Sequence, residues 1–133
     1  QTYRQLISTF DFGKLLCEAG MVAIAQGNYD KARQYMYESL EIMANYGMLN
    51  VVIQLMATIA DWMRIENNLV GATEIAAYCQ QYTTVTRHRI FIENLLETLQ
   101  SALPADDFQR AIERGQTYNH ETVIRELTVW LED

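Results

Sequence analysis

The sequence predicts an all-α fold, and three observations carry that reading. Helix breakers are scarce, with one proline and six glycines in 133 residues, whereas strand-rich folds of this length need many more turn residues. Apolar residues recur every three or four positions over long stretches, the period of a helix with one buried face. Two segments also match at an offset of 40 residues: Leu16-x-x-Ala19-Gly20-x-x-Ala23-x-x-x-Gly27-Asn28-Tyr29-x-x-Ala32 returns as Met56-x-x-Ile59-Ala60-x-x-Met63-x-x-x-Asn67-Asn68-Leu69-x-x-Ala72. Each places a polar break between two apolar stretches, with small residues at the same helical phase. That is the pattern of a repeated helical hairpin.

The elements follow in order within one domain spanning 1–133. A first helix is expected from about Phe10 to Gln26, with Phe12, Leu15, Leu16, Ala19, Met21, Val22, Ala23 and Ile24 at helical spacing. Gly27-Asn28 ends it, because both residues tolerate the left-handed conformation that closes helices. A second helix from Tyr29 to Asn45 carries Ala32, Tyr35, Met36, Ser39, Leu40 and Met43 on one stripe, and Tyr46-Gly47 closes this first hairpin (10–46). Asn50 is expected to cap the next helix, which runs to about Glu66 through Val52, Leu55, Met56, Ile59, Met63 and Ile65. Asn67-Asn68 turns the chain, and Leu69 to Tyr82 completes a second hairpin (50–82) with Val70, Ala72, Ile75, Ala76 and Cys79.

After a break at Thr83-Thr84, a longer helix is expected from Val85 to Ala102, with Ile90, Ile92, Leu95, Leu96, Leu99 and Leu103 as its apolar series. Pro104 opens a short helix at a position where a missing N–H costs nothing. That helix is expected over Ala105–Arg114, with Asp106 and Asp107 at its positive end and Gly115 as its stop. Asn119 caps a last helix through about Leu131. Residues 85–131 therefore read as a long helix followed by a two-helix C-terminal cap, giving about seven helices in all. Residues 1–9 align with 41–49 after subtraction of the 40-residue offset. They are expected to be the tail of a preceding repeat, leaving apolar surface exposed at that end. The absence of an initiator methionine points the same way, to a fragment of a longer protein.

Composition excludes several functions. Half the residues are hydrophobic and a fifth are charged, a globular balance. Seventeen acidic against ten basic residues give a net charge of -7, which repels phosphates and argues against direct nucleic-acid binding. No apolar run reaches the roughly 18 residues of a membrane-spanning helix. Cys17 and Cys79 lie in apolar helical patterns and read as buried thiols of a reducing cytoplasm.

The first hairpin resembles the tetratricopeptide repeat. Leu16, Ala19, Gly20, Ala23, Gly27, Tyr29, Ala32, Met36 and Ser39 stand at that family's spaced large and small positions, with Gly20 and Ala32 where the two helices cross. The second hairpin fits more loosely, having Asn67 at the turn glycine and Met63 and Leu69 at aromatic positions. The usual proline after the second helix is absent from both, and the 40-residue offset exceeds the standard 34. Further on, Leu103-Pro104-x-x-x-Phe108-x-x-Ala111-x-x-x-Gly115-x-x-Tyr118-Asn119-x-Glu121-Thr122-Val123 resembles the closing segment of bacterial multidomain regulators. In those proteins an AAA-like signalling ATPase precedes tetratricopeptide-like repeats, as in LuxR-type and antibiotic-regulatory activators; proline here replaces their usual first glycine. The resemblance covers nearly the whole chain. It implies a tetratricopeptide-like superhelix serving transcriptional or other signalling regulation.

No catalytic or cofactor motif is present: no Walker-type glycine loop, no Gly-x-Ser-x-Gly and no His-Glu-x-x-His. His88 and His120 have no Cys or His three or four residues away, as a metal site on a helix needs. Arg87, His88 and Arg89 are the densest basic cluster, read as solvated surface in preference to an anion site. The chain is therefore expected to be no enzyme and to hold no cofactor or metal. The resemblance implies instead a concave partner-binding face on the first helix of each hairpin. By repeat position this face comprises Lys14, Cys17, Met21 and Ile24, then Gln54, Ala57, Asp61 and Arg64. Its apolar and polar halves suit an amphipathic partner segment. The expected function is a non-catalytic protein-interaction or sensor scaffold; the alternative is a structural module that only self-associates.

Overall fold

The computed structural model describes residues 2–46 and 49–132, apart from the side chains of 3, 4, 6, 7, 10, 46 and 49–51. Among the described residues it is all-α, with seven helices and no strand: α1 (Tyr3–Ala25), α2 (Tyr29–Tyr46), α3 (Leu49–Ile65), α4 (Leu69–Tyr82), α5 (Thr86–Ala102), α6 (Ala105–Thr117) and α7 (His120–Glu132).

Most boundaries fall within two residues of the sequence expectation, and two differ for physical reasons. Residues 3–9 are continuous with α1 and form no separate helix tail, since no breaker lies between Thr2 and Phe10. Thr2 starts the helix with a capping box. The Gln5 amide donates to Thr2 Oγ1 at 3.2 Å, and the Thr2 amide donates to Gln5 Oε1 at 2.9 Å. In α6, Gly115 does not stop the helix, which continues to Thr117. Gly115 is buried because the helix crosses α4 there, and it serves packing. Asn50 lies inside α3, one residue past its start; Gly47 lies outside the described residues.

The chain divides into two compact units, Gln1–Leu55 with Ile124–Asp133, and Met56–Val123. In the first, α1 and α2 pack together as a hairpin. Its turn is a Schellman motif: the Asn28 amide donates to Ala23 O at 2.8 Å, the Gly27 amide to Ile24 O at 3.0 Å, and Gly27 has φ +75°. Leu16, Ala23, Ala32, Met36, Leu40 and Met43 form the core. Small residues on α1 admit α2 closely. A Cβ on Gly20 would stand 2.9 Å from Met36 Cε, and one on Gly13 would stand 2.9 Å from Ile42 Cγ2. The buried Ser39 hydroxyl donates to Gly13 O at 2.7 Å. The C-terminal half of α7 lies against α2, where Arg33 Nη1 donates to Trp130 O at 2.8 Å and the guanidinium sits 4.7 Å from the indole centroid.

The second unit repeats the turn. The Asn68 amide donates to Met63 O at 2.8 Å, the Asn67 amide to Arg64 O at 2.9 Å, and Asn67 has φ +68°. Asn68 Oδ1 then caps α4 by accepting from the Gly71 amide at 3.2 Å. Helix α4 is the centre of this unit, with Ala72, Ile75, Ala76, Ala77, Tyr78 and Cys79 all buried, and it packs against both α5 and α6. Thus α6 rests on α4, and the end of α7 rests on α2. Asn119 caps α7 as expected, its Oδ1 accepting from the Thr122 amide at 2.8 Å.

Candidate functional site: interaction surfaces on α1 and beside α3

On α1, Lys14, Cys17, Met21 and Ile24 share one side by helical spacing. Lys14 and Met21 are exposed, Cys17 and Ile24 half-buried. Burial, with Glu18 beside it, pushes the Cys17 thiol up to about 11. It is a protonated, unreactive thiol at neutral pH. The more exposed apolar surface lies on the opposite flank of the helix, in the stripe of Phe12, Leu15 and Val22, which are 55%, 61% and 56% exposed. Helical spacing lists these residues in one apolar series with the buried Leu16 and Ala23. Their counterparts at the 40-residue offset, Val52, Leu55 and Trp62, are each 1% exposed. One set of repeat positions is therefore buried in α3 and bare in α1. Asp11 and Glu18, both exposed, border the bare stripe on one side.

Beside α3, Asp61 and Arg64 line a groove of about 150 Å³ together with Phe91, Asn94, Leu95 and Thr98 of α5. Arg64 Nε donates to Asp61 Oδ1 at 3.0 Å and Nη2 lies 2.9 Å from the same oxygen. Leu95 is buried and forms the floor, while Phe91 stands exposed as a wall. The space is the size of one side chain and too small for a cofactor. Of the other residues expected on this face, Gln54 is exposed but Ala57 is only 2% exposed. Ala57 presents nothing to a partner, because α3 is apolar on nearly every side and Ile53, Met56 and Ala60 beside it are fully covered. The structure thus brings Asp61 and Arg64 together in one groove and removes Ala57 from the surface.

The histidines belong to different surroundings. Arg87 and Arg89 are exposed on α5. Both ring nitrogens of His88 are buried with no hydrogen-bond partner, and burial, then Arg87, holds its pKa below the usual histidine value. His120 Nδ1 lies 3.5 Å from the buried Tyr78 hydroxyl. Burial pushes that phenol up to about 12, with Tyr82, whose ring centroid is 4.8 Å away, and Cys79 adding to it. The Tyr78–His120 pair has no local sequence signal, since nothing local links residues so far apart. Among the described residues no group of three His, Cys, Asp or Glu side chains could hold a metal ion. No described helix is long and apolar enough to cross a membrane.

These features define the molecule at the level of class: all-α among the described residues, with a bare apolar face on α1 and shallow grooves. Compared with known proteins, the chain matches no family model, no curated protein and no solved structure.

Proposed function

We propose that the chain is a non-catalytic protein-interaction module whose α1 face receives an amphipathic helix from a protein partner. The observation that carries this reading is the contrast between Phe12, Leu15 and Val22 and their buried counterparts Val52, Leu55 and Trp62. Positions built to be covered in one copy of the repeat are open in the other. A contiguous open apolar stripe marks an interaction site. Asp11 and Glu18 on its border favour a helix carrying Lys or Arg beside its apolar stripe. On the sequence resemblance, the two hairpins are part of a tetratricopeptide-like superhelix in a larger bacterial regulator. There, partner binding would be passed to an upstream ATPase and an output domain.

The alternative, self-association, would use the same stripe. Light scattering across a concentration series separates the two readings, combined with titration of a synthetic helical peptide bearing one leucine stripe flanked by lysines. A monomer that binds the peptide saturably, and loses it on Leu15→Asp, supports the proposal. A dimer that Leu15→Asp dissociates replaces it with self-association, and a monomer blind to the peptide overturns both.

A further inference from the structure

In the first unit, α2 and the part of α7 from Ile124 onward line an open groove of about 390 Å³, inside the range of small-ligand sites, roughly 300–1,000 Å³. Leu40 and Ala44 of α2 and Ile124 of α7 supply apolar lining, while Tyr37, Glu41 and Thr128 supply polar groups. Helical spacing sets Tyr37 and Glu41 one turn apart on one edge, and Leu40 and Ala44 one turn apart beside them. Most other polar groups here are already engaged. The Thr128 hydroxyl donates to Ile124 O at 2.7 Å, and the Asn45 amide nitrogen donates to Glu41 O at 2.9 Å.

Among the described residues Glu41 is the one carboxylate lining the groove, it is exposed, and it takes part in none of the ion pairs among them. The cation on this side of α2, Arg33, is held by the carbonyl and ring of Trp130. The groove therefore combines apolar lining, an aromatic side chain and, at its edge, a carboxylate outside the ion pairs among the described residues.

We propose that it binds an organic cation: a protonated primary amine on a short apolar body. The ammonium pairs with Glu41 and can lie against the Tyr37 ring. The apolar body then covers Leu40, Ala44 and Ile124. An anion of the same shape is repelled by Glu41 and by the chain's net charge of -7, and a neutral analogue forgoes the ion pair. This inference goes beyond the partner-helix reading and uses a different face of the hairpin.

The test is a titration of the whole chain with hexylammonium, hexanol and hexanoate at constant ionic strength, followed by amide chemical shifts. Hexylammonium is expected to give saturable shifts confined to residues 37–45 and 124–128, with hexanol about tenfold weaker and hexanoate without effect. Glu41→Gln is expected to reduce hexylammonium to the level of hexanol, and Ala44→Phe to fill the groove and abolish binding, the spectra reporting that each variant is folded. Equal response to hexanol or hexanoate, shifts elsewhere, or undiminished binding by Glu41→Gln overturns the proposal. Leu15→Asp, which abolishes binding of the helical peptide under the first reading, is expected to leave hexylammonium binding unchanged, so the two readings fail separately.

Discussion

Gly115 of α6 lies directly on the backbone carbonyl oxygen of Glu74 in α4. A Cβ there would overlap that oxygen and stand 2.9 Å from Ala77 Cβ. Neither is the loose end of a flexible side chain, so relief requires the helices to separate. Beside it, Arg114 Nε donates to Glu74 Oε2 at 2.6 Å, which fixes the same crossing. Gly115→Ala is expected to cost about 3 kcal/mol or more, the upper end for overpacking, read as a fall in the urea midpoint. A loss below about 1 kcal/mol would show that α6 is not held on α4 at this distance.

The two hairpin turns make a controlled contrast. Gly27 and Asn67 have φ of +75° and +68°, and nothing lies within 4 Å of a Cβ built on Gly27. Gly27→Ala therefore carries backbone strain and no clash, an expected cost of about 1 kcal/mol. Asn67→Gly removes strain and is expected to stabilise by a few tenths of a kcal/mol, roughly 0.5, partly offset by the freer unfolded chain. Thermal unfolding of both variants checks the opposite signs. If both destabilise equally, the shared left-handed turn is not what the two positions are for.

These two cases show what was legible in the sequence. The Gly27-Asn28 and Asn67-Asn68 breaks were readable because a left-handed helix end is a local property with its own residue preferences. The α4 boundaries followed from the same turn and from Thr83-Thr84. Gly115 is ambiguous in sequence because a glycine near a helix end looks the same whether it terminates the helix or admits a neighbour; only the partner backbone at Glu74 decides. Periodicity marked Phe12, Leu15, Ile65 and Ile90 as one class with the core, yet all are at least half exposed. A period reports that a helix has an apolar face, not that anything covers it. The groove between α2 and α7 depends on residues far apart in sequence and left no local trace.

His88 gives the protein a pH dependence in the mildly acidic range. Its folded-state pKa lies below the ordinary histidine value of 6.5 because burial, then Arg87, disfavours the cation. Below pH 6.5 the unfolded chain binds the proton more readily, so stability falls as pH drops toward the folded-state pKa and is fully present above 6.5. Both ring nitrogens are buried without partners, so no internal acceptor offsets the charge. Urea midpoints at pH 5 and pH 7.5 are expected to converge in His88→Leu relative to wild type. An unchanged difference would place the titration elsewhere.

Arg33 holds the end of α7 on α2 through two interactions that a shorter or uncharged side chain cannot keep. Its Nη1 donates to Trp130 O at 2.8 Å, and its guanidinium covers the Trp130 ring at 4.7 Å. A charge-assisted hydrogen bond and a partly desolvated cation–π contact together are worth about 1–3 kcal/mol. Arg33→Met retains most of the apolar stem and removes both, so a loss in that range is expected. Arg33→Lys restores little, because an ammonium cannot stack on the indole while donating sideways to the carbonyl. The second readout is local: amide exchange over 124–132 accelerates, and acrylamide quenching of tryptophan emission rises in Arg33→Met but not when Trp130→Phe is also present. The same loosening removes one wall of the α2–α7 groove, so hexylammonium binding weakens in parallel. Unchanged exchange in α7 would mean that burial of Leu127 and Leu131, rather than Arg33, holds the helix in place.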